Sequence, residues 1–141
     1  MNIGQILNSK GHDVVTIDES APLTEAVEQL ARRNIGSLVV RGAAGVAGII
    51  SERDVIRVIY RHGRAVLDTT VKAAMTANPT SCSPETTLDQ ALEIMTAGRF
   101  RHLPVMRGGQ LSGIISIGDV VKAKIDETER EAAELRDYIA K

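Results

Sequence analysis

At 141 residues with 43% apolar content, the chain fits one compact globular domain or two small halves sharing a core. A net charge of −1 leaves no electrostatic footprint for DNA or RNA, and 2% aromatics with no Trp leave no stacking platform for single strands, so the core must be aliphatic and no nucleic-acid partner is expected. The single cysteine, Cys82, excludes an intramolecular disulfide and fits the reducing cytoplasm; no basic segment with a long apolar core opens the chain, and no apolar run approaches the roughly 20 residues of a membrane span.

Ile3, Ile6 and Leu7 fall on one face of a short helical turn that Gly11 ends. Val14 to Ile17 is a β-type run, followed by turn material from Asp18 to Pro22. Leu23, Ala26, Val27 and Leu30 recur at i, i+3, i+4 and i+7, which predicts an amphipathic helix broken at Gly36. Ser37–Val40 and Val46–Ile50 read as strands joined by a hairpin turn over Gly42–Gly45. A helix runs from Glu52 to about Arg61 and stops near Gly63. Residues 64–79 read as a linker in which Asp68 caps a short helix carrying Val71 and Met75, before the turn at Asn78-Pro79.

The second half replays the first at an offset of 65 residues, aligning Leu23 with Leu88, Ala26 with Ala91, Leu38 with Leu103 and Val40 with Val105 without a gap. Thr80–Cys82 matches the first strand, Leu88, Ala91, Leu92 and Met95 repeat the helical stripe that Gly98 ends, and a second hairpin turns over Gly108-Gly109. Residues 1–63 are thus expected to form a first repeat with the N-terminal helical turn, and residues 80–141 a second with an extended helix. That last helix departs from the repeat. Val121, Ile125, Thr128, Ala132, Leu135 and Ile139 form a heptad-like stripe, which fits either packing on its own domain or a homodimer contact, the latter favoured by its length.

The duplication peaks at Gly48-Ile49-Ile50-Ser51-Glu52-Arg53-Asp54-Val55 and Gly113-Ile114-Ile115-Ser116-Ile117-Gly118-Asp119-Val120. In each copy a strand ends at a serine, a favoured N-cap, with an acid three residues on, as in a capping box with Asp in place of Glu. The same geometry suits a ligand. A helix N-terminus directs backbone N–H groups and a positive dipole end at phosphate, and a carboxylate there accepts from two neighbouring ribose hydroxyls. Both readings stand for the serines; for the aspartates they compete.

Gly-apolar-apolar-Ser-x-x-Asp, duplicated in register and preceded each time by a hairpin and an amphipathic helix, resembles the cystathionine-β-synthase (CBS) domain, and the tandem resembles a stand-alone CBS pair, or Bateman module, over roughly residues 9–125. The resemblance implies an α/β fold of two pseudo-symmetric repeats packed through their sheets. It also implies an adenosine nucleotide (AMP, ADP, ATP or NAD) bound in clefts between them, with Asp54 and Asp119 on ribose and Ser51 and Ser116 beside sugar and phosphate. Carried over by position, Arg101 and His102 face the phosphate while Leu103 and Pro104 line the cleft; Thr16, Ile17, Thr80 and Cys82 meet the adenine, largely through backbone. The matched positions Gly36, Ser37, Leu38 and Val39 lack the basic pair and the proline, so the second site is expected to be the better one. Arg53 serves a phosphate or is simply exposed, and Lys10 reaches a phosphate or is a surface lysine.

Taken from the residues alone, Pro104 in a strand pattern marks an edge strand or a functional site. Arg101 and His102 are either a solvated strand end or phosphate donors. His12 and His62 have no partner at metal-ligand spacing, and no nucleophile stands with its base, so neither a metal site nor an enzyme is expected. The expected function is a regulatory nucleotide sensor that acts on a separate effector protein. The rival is a structural interaction scaffold whose Ser-x-x-Asp pairs are only helix caps.

Overall fold

The computed structural model describes Met1 to Ala140. The chain opens with α1 (Ile3–Lys10), started by a reciprocal capping box in which the Gln5 N–H donates to the Asn2 side chain at 3.0 Å and the Asn2 N–H to the Gln5 side chain at 2.8 Å. Two compact units follow: residues 13–80, and residues 1–12 together with Ser81 onward.

In the unit of residues 13–80 the order is β1 (Thr16–Asp18), α2 (Leu23–Arg33), β2 (Ser37–Gly42), β3 (Gly45–Ser51), α3 (Glu52–His62), a 3-10 turn (Arg64–Asp68), α4 (Val71–Ala74) and β4 (Thr76–Ala77). The strands make one sheet in the order β1-β2-β3-β4, with β1 parallel to β2 and the other pairs antiparallel. Its core contains Ile17, Leu23, Ala26, Leu30, Leu38, Val40, Ile50, Val55, Val58, Val66 and Val71. Residues 64–79 are therefore no mere linker. Val66 and Val71 are buried, the Leu23 and Val71 N–H groups bond the Thr69 and Ala21 carbonyls at 2.8 Å, and β4 adds a strand.

In the other unit, α5 (Leu88–Gly98) leads to β5 (His102–Arg107), β6 (Gln110–Ser116) and α6 (Ile117–Ala140). The hairpin turns on Gly108 and Gly109 at φ 56° and 78°, the positive pair that a two-residue turn matching strand twist demands. Ile3, Ile6 and Leu7 of α1 share a core with Cys82, Leu88, Ala91, Met95, Leu103, Val105 and Ile115. The helix opens the first repeat in sequence and packs in space with residues of the second. The Ile3 N–H donates to the Thr86 carbonyl at 2.9 Å and the Gly4 N–H to that of Pro84 at 2.8 Å. An eight-residue helix is marginal alone, so it takes its stability from the apolar face it buries.

Two further expectations shift. Both long helices of the duplicated stripe stop on a non-glycine residue in the left-handed region, Asn34 (φ 52°) and Arg99 (φ 56°), after which the Ile35 and Phe100 N–H groups return to the Leu30 and Met95 carbonyls. Gly36 thus lies beyond the stop, and Gly98, the last helical residue, serves a different end: a Cβ there would sit 2.0 Å from the Phe100 ring. The expected strand at Thr80–Cys82 contracts to a single bridge between Cys82 and Val105. In the first repeat the Val39 N–H donates to the Val15 carbonyl at 3.2 Å. Pro104, its equivalent, has no N–H, so the parallel ladder starts only where Cys82 donates to the Pro104 carbonyl at 3.0 Å and accepts from the Met106 N–H at 2.8 Å.

Candidate functional site

β6 passes directly into α6 at Ser116, and the Arg101 carbonyl accepts from the Ile117 N–H at 2.8 Å, which fixes the start of β5 beside that helix N-terminus. His102 is the register partner of Ser116, and Pro104 of Ile114. Leu103 and Ile115 point into the core. Alternation along a strand therefore puts His102, Pro104, Ile114 and Ser116 on the opposite face. Leu103 cannot present its side chain there: it is wholly buried, which leaves that expected contact to its backbone. Pro104 is buried, His102 half-buried and Arg101 exposed.

The Ser116 N–H donates to Asp119 Oδ2 at 2.8 Å and the Asp119 N–H to Ser116 Oγ at 3.2 Å, so the pair is a capping box. Asp119 does more. Lys10, the last residue of α1, donates from Nζ to the same Oδ2 at 2.6 Å and to the Ile114 carbonyl at 3.0 Å. Burial pushes the Asp119 carboxyl upward, but the Lys10 ammonium and the Ser116 N–H outweigh it and hold the group below the usual carboxylate range. Both bonds fall on Oδ2, which leaves Oδ1 as the acceptor for an incoming hydroxyl.

The equivalent place in residues 13–80 has the same backbone, with the Glu52 N–H donating to the Gly36 carbonyl at 3.0 Å and Ser37 paired with Ser51. Its carboxylate is occupied differently. Asp54 Oδ2 accepts from the Ser51 N–H at 2.8 Å and Oγ at 3.0 Å, and Oδ1 accepts from Thr76 Oγ1 at 3.1 Å. Asp54 is thus held on both oxygens by neutral donors. Arg53 is exposed on the first turn of α3, and Ser37 is buried. Thr16 pairs with Val39, on the face away from the core, whereas the Ile17 side chain is in the core.

Of the expected adenine contacts of the second repeat, Cys82 lies beside Pro104, donating its N–H to the Pro104 carbonyl at 3.0 Å. Thr80 falls in the unit of residues 13–80. Cys82 has its thiol buried and both backbone groups committed to β5, and burial pushes the thiol up to about 11. By the 65-residue offset the counterpart of Thr16 is Ser81, one position from Thr80. Lys10 and Thr76, which hold the two aspartates, carry no local signal of that role; their partners lie 109 and 22 residues away. Elsewhere in this unit, a cavity of about 250 Å³ opens between α1 and the hairpin, lined by Gln5, Asn8, His12, Arg107 and Ser112 among others, and includes no motif residue. Among the described residues no cluster of three His, Cys, Asp or Glu is placed to hold a metal, and no helix is long and apolar enough to cross a membrane.

The CBS domain family model matches residues 3–61 and 71–126. The chain belongs to the CBS-domain family. It is 35% identical to the mitochondrial CBS domain-containing protein CBSX3 of Arabidopsis thaliana, over 97% of this chain and 71% of that one. It is 33% identical to an uncharacterized 17.7 kDa protein of Acidianus ambivalens, over 88% and 73%. Among solved structures, the CBS-domain containing protein ATU1752 from Agrobacterium tumefaciens superposes with a TM-score of 0.84 at 47% identity, over 87% of this chain and 92% of that one. The CBS matches begin at α1 and at α4, yet α1 packs in the unit that contains the second match and α4 in the unit that contains the first. Each CBS repeat thus gives its opening helix to the other repeat's core.

Proposed function

We propose that this CBS pair is a regulatory module that binds an adenosine nucleotide at the Ser116–Asp119 site. The observation that carries this reading is Asp119, its Oδ2 engaged by Lys10 and its Oδ1 left for a ribose hydroxyl, at a strand-to-helix junction beside which the backbone of Arg101 and His102 begins β5. A phosphate attached to that ribose meets cationic side chains and the positive end of a 24-residue helix. CBS pairs sharing this fold at 21% and 20% identity have been crystallised with AMP (CBSX2) and with 5′-methylthioadenosine and S-adenosyl-L-methionine (MJ0100), which supports an adenosine core as the common element. AMP, ADP, ATP and NAD share it. Output follows by population shift, since ligand favours the arrangement it binds better. The receiver is a separate effector protein or a homodimer built on α6, and we assign the module to the cytoplasm.

A specific observation favours the scaffold reading for the Ser51–Asp54 site alone. With both Asp54 oxygens engaged, its motif works as a helix cap and inter-element tie. The deciding experiment is a thermal-shift screen with AMP, ADP, ATP, NAD and S-adenosylmethionine on wild type, Asp119→Asn and Asp54→Asn. A stabilisation of about 2.7 kcal/mol at hundredfold excess over Kd, lost in Asp119→Asn and kept in Asp54→Asn, is expected. No shift with any compound assigns both motifs to capping.

A further inference from the structure

We infer that Lys10 sets the charge selectivity of the Asp119 site, favouring adenosine ligands with an anionic 5′ substituent over neutral or sulfonium ones. The inference rests on the adenosine-ligand reading above and adds the class of ligand. Lys10 Nζ lies 2.6 Å from the carboxylate oxygen and 3.0 Å from the Ile114 carbonyl, so it is tied at the junction by two acceptors rather than swinging on its stem. Its side chain is still 37% exposed, which leaves the ammonium a third direction in which to donate.

The two repeats provide an internal comparison. At the 65-residue offset Lys10 corresponds to Met75, Arg101 to Gly36 and His102 to Ser37. Three basic positions around Asp119 are thus three neutral ones around Asp54, whose one basic neighbour, Arg53, is exposed on the first turn of α3 and matches Gly118. A helix-capping function is served equally well in both repeats, since Ser51–Asp54 and Ser116–Asp119 form the same box. Capping therefore does not account for the difference in charge, whereas a charged ligand on one side does. In an adenosine compound the 3′-hydroxyl leaves C3′ and the 5′ substituent leaves C5′, with only C4′ between them. A ribose hydroxyl on Asp119 Oδ1 brings that substituent within reach of the ammonium on Oδ2. A phosphate is attracted there. The sulfonium of S-adenosylmethionine is repelled, and adenosine or 5′-methylthioadenosine gains nothing from the charge.

The test is calorimetric titration of the full chain, as wild type, Lys10→Met and Lys10→Arg, with AMP, adenosine and S-adenosylmethionine at low and moderate salt. Lys10→Met places at this position the residue the other repeat carries. Wild type is expected to prefer AMP to adenosine and to S-adenosylmethionine by about tenfold or more. Both preferences should shrink about tenfold in Lys10→Met, remain in Lys10→Arg, and weaken with salt in the wild type. If Lys10→Met binds these ligands with unchanged ratios, Lys10 is a structural tie and the inference fails while the sensor reading stands. If Lys10→Met does not fold, the wild-type salt series decides alone: an AMP-to-adenosine ratio that does not move with salt overturns the inference. If wild type binds none of the three, the inference and the sensor reading fall together.

Discussion

Leu7 fills the space over Gly113: a Cβ built on that glycine would stand 2.7 Å from Leu7 Cδ2 and 2.9 Å from Cδ1. The duplicated glycine has the same duty at Gly48, where a Cβ would stand 2.6 Å from the Thr76 carbonyl oxygen and 2.8 Å from Met75 Sδ. The glycine that opens each Gly-apolar-apolar-Ser motif therefore admits the segment carrying Lys10 or Thr76, the residue that engages the motif's own aspartate.

Gly113→Ala should cost about 1–3 kcal/mol through overpacking against a side chain that is fully buried. Gly48→Ala should cost at least as much, since the obstruction includes backbone, which yields less readily than a side-chain tip. Urea titration of both variants measures this. Wild-type midpoints in both would mean that the opening segments are not held where the geometry places them.

The Asp119 carboxyl sits below its ordinary value, so it contributes stability that is fully present above the unfolded pKa of about 4 and is lost as pH falls through the lower folded value. Asp119→Asn removes that contribution. The melting-temperature gap between wild type and Asp119→Asn should be open at about pH 7 and narrow progressively below about pH 4. A gap that stays constant down to about pH 2.5 would show that the Lys10 ion pair has no part in folding stability.

Much of this fold was legible because it is written twice. The register of Leu38 with Leu103 and of Val40 with Val105 identified both hairpins, and the repeated Ser-x-x-Asp located both helix starts. What the pattern concealed was long-range. Ile3, Ile6 and Leu7 show an apolar face, but nothing in that face says whether it covers Leu38 or Leu103. Lys10 looked like any lysine at a helix end because Asp119 is 109 residues away. Pro104 was visible as a broken rule; that its cost falls on the strand around Cys82 required the missing counterpart of the Val39–Val15 bond. Asn34 and Arg99 stopped their helices by adopting a left-handed conformation that glycine-based reading assigns elsewhere.

Cys82 illustrates how placement sets chemistry. Burial raises its thiol to about 11, so the thiolate fraction at about pH 8 is small, and the sulfur has little access to solvent. Native protein should react with a thiol-specific disulfide reagent orders of magnitude more slowly than protein unfolded in guanidinium. Rapid single-thiol labelling of native protein would contradict the burial of Cys82 alongside β5.

The far half of α6 has no cover of its own. Val120 and Ala123 are buried near its start, but every described residue from Thr128 on is exposed, including Leu135 at 59% and Ile139 at 74%. A helical segment of that length is marginal in water without a partner. Val121, Ile125, Leu135 and Ile139 lie on the heptad stripe and are exposed, which fits a second copy of the same helix. The double variant Leu135→Glu/Ile139→Glu should convert a dimer to a monomer in multi-angle light scattering. Both positions are exposed within the protomer, so its unfolding free energy should change by less than about 0.5 kcal/mol per site. A wild-type mass of one chain across the accessible concentration range would remove the dimer from the proposed mechanism and leave ligand-driven change within a single CBS pair as the signal.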